Sequence, residues 1–121
     1  LAISINYDLD QGTDFSFIAT RKDSDGFPVA ITGGATAYSQ MRKFYSSSSA
    51  VTFNTTVTGV TGEVLVSLAA TGTSGIKGGV YFYDVELHIT PKDGSNNAVG
   101  STKVSRIVQG MITVYPEVTK I

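Results

Sequence analysis

The chain has 121 residues, nine Lys and Arg against ten Asp and Glu for a formal net charge of -1, and no cysteine. That balance exerts no general pull on nucleic acid or an anionic membrane, and the missing thiols exclude thiol catalysis, disulfides and thiolate-held zinc or iron-sulfur groups. With 41% hydrophobic and 16% charged residues, the length suits one globular domain, 1–121, able to bury a core without staples.

No apolar run approaches the roughly 18 residues of a spanning helix. The opening "LAISINYDLD" alternates and lacks the basic start and apolar block of a signal peptide. Leu at position 1 leaves room for leading residues.

Alternation with a period of two, filled by β-branched and aromatic residues, recurs along the whole chain. "ISINYDL" sets Ile3, Ile5, Tyr7 and Leu9 on one face, and after a turn at Gln11-Gly12, "TDFSFIAT" does so with Phe15, Phe17 and Ala19. "RKDSDGFPVAIT" reads as a tight turn at Asp25-Gly26 plus a short strand, with Pro28 suited to an edge. In "ATAYSQMRKF", Tyr38, Gln40 and Arg42 alternate with Ala37, Ser39 and Met41; "SSSS" breaks the pattern and "VTFNTTV" resumes it.

"GEVLVSL" opposes Val64, Val66 and Leu68 to Glu63, Leu65 and Ser67, and the Gly- and Thr-rich "AATGTSGIKGG" after it suits a short helical turn. "VYFYDVELHIT" and "STKVSRIVQGMITVYPEV", joined by the turn-rich "PKDGSNN", are expected to form a long hairpin with Gly110 as a bulge and Pro116 ending the pairing. No internal repeat or linker is apparent. Seven to nine short strands at spacings of about 8 to 12 residues predict an all-β, immunoglobulin-like antiparallel β-sandwich, a closed barrel being the alternative.

Asp84, Glu86 and His88 share one face of "YFYDVELHI", opposite Tyr81, Tyr83, Val85, Leu87 and Ile89. Two carboxylates and an imidazole would suit a metal ion or acid/base work. Successive members of the trio lie about 6.5 to 7 Å apart on a strand, however, and the chain has no second His. The apolar set is the natural core face, so a solvated strand face is the preferred reading of the trio and a metal-assisted hydrolase the lesser one.

"DSDG" at 23–26 starts like a calcium loop, but the twelfth-position Glu of such a loop would fall where Gly34 stands. "PKDGSNN" likewise reads as a turn. The serines lack a G-x-S-x-G elbow, and the Gly33-Gly34 and Gly78-Gly79 pairs match no phosphate-binding motif. No cofactor is called for. "MRKFYSSSS" places Arg42 and Lys43 beside Phe44 and Tyr45, residue types enriched at protein interfaces. These four are the candidate interface, favoured over base stacking because the basic patch, even counting Arg21 and Lys22, is thin.

Several stretches resemble a family of small tailed-phage virion proteins: "YDLDQGTDFSFIATRKDSDGFPVAITG", "SQMRKFYSSSS", "GGVYFYDVEL" and "RIVQGMITVYPEVT", in the family's order and over most of the chain. The most specific parts are "DQGTDF" with "KDSDG" and the closing "GxxxVxPEVT". The resemblance implies a β-sandwich without enzymatic activity, free-standing or the N-terminal module of longer baseplate proteins. Because the sequence ends at "PEVTKI", a stand-alone accessory protein is expected. Capsid decoration ranks ahead of a tail or baseplate adaptor, with other virion proteins as partners and self-association through exposed strand edges. A carbohydrate- or receptor-binding module, using Tyr38, Phe44 and Tyr45 as a stacking platform, is the alternative class.

Overall fold

The structure is a computed structural model that describes residues 2–31 and 34–119. Nine strands account for nearly all of its regular structure: β1 (Ile3–Ser4), β2 (Tyr7–Asp10), β3 (Phe15–Thr20), β4 (Gly34–Arg42), β5 (Val51–Thr52), β6 (Asn54–Thr58), β7 (Glu63–Leu68), β8 (Gly79–Thr90) and β9 (Lys103–Tyr115). One helical turn, α1 (Ala70–Thr73), follows β7, where the Gly- and Thr-rich segment suggested it.

Two sheets face each other. The larger runs β1 and β2, β9, β8, β4, β5, with β1 and β2 as consecutive segments along one edge; the smaller runs β3, β7, β6. This is the all-β sandwich expected from the alternation. Two features depart from that expectation. β1 and β2 pair with β9 in parallel, so the sandwich is not antiparallel throughout, and β8 and β9 are long, at 12 and 13 residues.

The core is what the inward halves of the strands bury against each other. Leu9, Met41, Val64, Val66, Val85 and Ile112 are all fully buried. At one side the packing is aromatic: Tyr7 stacks on Phe17 at 4.4 Å, and Phe17 meets Tyr83 edge-on at 5.5 Å. Such rings bring large apolar area and a preference for offset or edge contact, worth about 0.5–1.5 kcal/mol per pair beyond burial.

Three readings need correction. "VTFNTTV" is not one strand, because the chain changes sheet at Phe53. The Phe53 N–H still donates to the Ser39 carbonyl at 2.9 Å, while its ring turns into the aromatic cluster beside Phe15. "RKDSDGFPVAIT" holds its turn, but of the short strand only an isolated bridge between Lys22 and Pro28 forms; a proline has no N–H with which to extend a ladder. Ile5 is exposed, unlike Ile3, Tyr7 and Leu9, because the edge strand is interrupted at Ile5 and Asn6. Gly33 lies outside the described residues.

The bulge also lies elsewhere than expected. Val85 pairs with Val108 but Glu86 pairs with Arg106, so Ile107 is the extra residue in β9. Ile107 and Val108, adjacent in sequence, are both buried, as a bulge permits. Gly110 instead lets the N-terminal edge approach: a Cβ there would collide with the Ile5 carbonyl oxygen and lie 2.9 Å from Asn6 Oδ1. The Asn6 side chain accepts the Met111 N–H at 3.0 Å, and the register either side of the interruption is unchanged, Ile3 opposite Val108 and Tyr7 opposite Ile112.

Two loops that show no obvious repeat in sequence share one geometry. In 22–28 and 92–98 an Asp side chain accepts two backbone N–H groups, Asp23 from Asp25 and Phe27, Asp93 from Ser95 and Asn97. Each loop closes with a bridge, Lys22 to Pro28 and Lys92 to Ala98. Gly26 and Asn96 occupy the equivalent positive-φ position, which glycine and asparagine tolerate best.

Candidate functional site

Alternation along three adjacent strands sets the composition of the larger sheet's outer face. β4 contributes Tyr38, Gln40 and Arg42, and β8 contributes Phe82, Asp84, Glu86 and His88. The register places Tyr38 opposite Glu86 and Gln40 opposite Asp84. On β9 the Ile107 bulge matters. Uninterrupted alternation from Val108 would turn Arg106 inward; the extra residue turns it out, opposite Glu86, while Gln109 lies opposite Asp84. Arg106 and Gln109 thus join a site for which reading β8 alone gave no hint. The break in alternation at Ile107-Val108 is the signal that points to them.

The side chains on this face are tied together in pairs. Arg106 Nε lies 3.1 Å from Asp84 Oδ2, and its Nη1 donates to Gln109 Oε1 at 3.2 Å. Glu86 Oε1 is 3.1 Å from His88 Nε2, and the His88 ring meets Tyr38 edge-on at 4.7 Å. Burial, with the neighbouring Glu86 charge as a second cause, raises the Asp84 carboxyl above its ordinary value; Arg106 and Arg42 pull it the other way without winning. His88 is taken up by Glu86 and Asp84 by Arg106, so the three residues of the conspicuous trio do not converge on one point. Among the described residues no group of three or more His, Asp or Glu is placed to hold a metal.

The four residues of the candidate interface separate. Arg42 Nη1 donates to the Ser47 carbonyl at 2.6 Å and Nη2 to Gln40 Oε1 at 3.0 Å, which fastens the serine loop to the sheet. A turn closes in that loop, the Ser47 N–H donating to the Phe44 carbonyl at 3.0 Å. Tyr45 folds back from it and stacks on Phe82, with ring centroids 4.6 Å apart and planes 20° from parallel, yet stays 83% exposed. Lys43 turns to another side, its Nζ 5.1 Å from the centre of the Tyr81 ring. Phe44 points outward, 64% exposed.

Arg42 and Tyr45 therefore meet Asp84 and Glu86, two groups that lie 39 to 44 residues apart in sequence and read separately there. Together with Gln40, Phe82, Arg106 and Gln109 they line an open cleft of about 300 Å³. The Tyr45–Phe82 stack contributes aromatic surface to this lining, and its polar part is planar amide, carboxylate and guanidinium groups. No helix among the described residues is long and apolar enough to cross a membrane. Compared with known proteins, the sequence matches no family model and no curated protein.

Proposed function

We propose that this protein is a non-enzymatic structural component of a tailed-phage virion: a capsid decoration protein ahead of a tail or baseplate adaptor, bound to other virion proteins. The observation that carries the reading is that two of the motifs most specific to the family resemblance, "DQGTDF" and the closing "PEVT", build one junction. Gln11 of "DQGTDF" accepts the N–H of Glu117 of "PEVT" at 2.9 Å. Gly12, at φ +84°, leaves the space the Glu117 carboxylate fills, and its N–H donates to Thr73 Oγ1 at 3.0 Å. Asp14 Oδ1 accepts the Ala70 N–H that opens α1, at 2.8 Å. Gly110 and Val114, the other fixed positions of the closing pattern, admit the N-terminal edge and pack in the core. The spaced residues of the resemblance thus have coherent structural roles in this chain.

The arrangement of the outer face supports an interaction role over a hydrolytic one. Asp84 and Glu86 are engaged by different partners, whereas Phe44, Tyr45 and Tyr38 present aromatic area to solvent. Exposed aromatics beside an arginine are what buried interface centres are made of. The test is recovery of the chain in stoichiometric amount with purified particles of the phage that encodes it, and loss of that recovery in Phe44→Asp with the free protein still folded. Particles that purify complete without this chain would sink the proposal.

A further inference from the structure

We propose that the cleft on the outer face of the larger sheet is a binding site for a single neutral saccharide residue, a role separate from attachment to the particle. Three features lead to this ligand. The lining is charge-balanced, Arg42 and Arg106 against Asp84 and Glu86, so a strongly anionic or cationic ligand meets as much repulsion as attraction. The polar groups are planar and already oriented by each other: Arg42 on Gln40, Arg106 on both Asp84 and Gln109. Such groups offer paired donors and acceptors to adjacent hydroxyls with little ordering left to do on binding. The third feature is aromatic. Tyr45 and Phe82 stack within the lining and Tyr45 keeps most of its area exposed, a surface suited to the C–H face of a pyranose ring.

Size agrees with this. A volume of about 300 Å³ is at the lower end of small-molecule sites, enough for one ring and its bound water rather than a folded peptide. The site is also open to solvent, so a longer chain could run out of it over the sheet. The affinity for one residue in an open, polar cleft is weak, with a Kd on the order of millimolar, because little apolar area is removed from water.

The test uses the ¹⁵N-labelled full chain titrated separately with glucose, galactose, mannose and N-acetylglucosamine and with short oligomers of each. The proposal expects at least one sugar to shift the amides of 40–42, 82–86 and 106–109 as one group and to leave the opposite sheet unmoved. Gln40→Ala and Tyr45→Ala, both at exposed positions, should each weaken that binding about tenfold, a loss of about 1.4 kcal/mol, with core resonances unchanged. Phe44→Ala, outside the cleft, should not weaken it. The proposal fails if none of these sugars moves the cleft amides, if the shifts scatter over the surface, if free arginine or glutamate moves the cleft amides more than any sugar does, or if Gln40→Ala and Tyr45→Ala bind as well as the parent chain.

Discussion

The Glu117 N–H donates to Gln11 Oε1 across 106 positions of sequence, while the same Gln11 side chain donates from Nε2 to the Ile76 carbonyl at 2.7 Å. One amide thus ties the β2–β3 turn to the segment after α1 and to the residues beyond β9. Removing it leaves a carbonyl and an N–H without their partners. We expect Gln11→Ala to lower stability by about 1–3 kcal/mol, read as a shift of the urea midpoint. Hydrogen exchange should speed up at Glu117 and Gly12 and not at Val85. An unchanged midpoint would mean that solvent replaces both bonds at no cost.

β8 offers a direct contrast between its two faces. Leu87 is 1% exposed, whereas the neighbouring His88 is on the outer face and only partly covered. Leu87→Ala removes buried methyl groups and leaves a cavity, a change that costs about 2–5 kcal/mol, comparable to the whole margin of a small domain. His88→Ala gives up a partly buried contact with Glu86 and an edge contact with Tyr38, and should cost about 1 kcal/mol or less. Chemical denaturation of the two variants decides this, and equal tolerance at both positions would contradict the assigned facing.

Asp84 gives a less intuitive expectation. It has an arginine partner at 3.1 Å, yet its carboxyl is raised, because burial and the Glu86 charge outweigh Arg106 and Arg42. A folded value above the unfolded one means that the folded state holds this proton more tightly. The associated stability is full below the unfolded value and is lost as pH rises through the folded one. Ionised Asp84 is therefore a mild burden at neutral pH in spite of its ion pair. Asp84→Asn should match or exceed the parent's stability at pH 7, by about 1 kcal/mol or less since the group is partly exposed, and the advantage should vanish near pH 3. A clear loss at pH 7 would show that the Arg106 pair dominates.

How far the sequence carried the interpretation can be seen at single residues. Val85, Leu87 and Tyr83 were legible as core because a period of two admits one apolar face, and the hairpin end at Pro116 was legible because proline cannot donate. The parallel seating of β1 and β2 on β9 was not. It depends on a backbone contact between Ile5 and Gly110, and a glycine in a strand reads equally as a bulge or as a close approach. The cleft was legible only in fragments. Arg42 and Tyr45 stood out by type and Asp84 and Glu86 by charge, but their meeting needs the β4–β8 register, and Arg106 needs the bulge at Ile107 as well. The likeness of the 22–28 and 92–98 loops is not legible in sequence because hydrogen bonding, with little residue identity, defines it.

The Tyr83 hydroxyl, on a buried residue of β8, donates to the Ile5 carbonyl at 2.6 Å and so holds the interrupted N-terminal edge. Burial, and then the nearby Tyr7, push its ionisation well above the ordinary tyrosine range, and burial raises Tyr7 as well. Both phenols stay protonated in the folded chain at pH values where the unfolded chain has lost those protons. Their contribution is whole below about pH 10 and declines as pH rises towards the folded values. Each such group can tilt stability by at most about 1.4 kcal/mol per pH unit. Tyr83→Phe should lose about 0.5–1.5 kcal/mol at pH 7 with the hydrogen bond, yet fall less steeply above pH 10, so that the two stability curves converge. Tyr7 contributes to the slope that remains in the variant. Urea titrations at pH 7, 10 and 11 measure both, and curves that stay parallel would mean that the Tyr83 hydroxyl does not keep its proton in the folded chain.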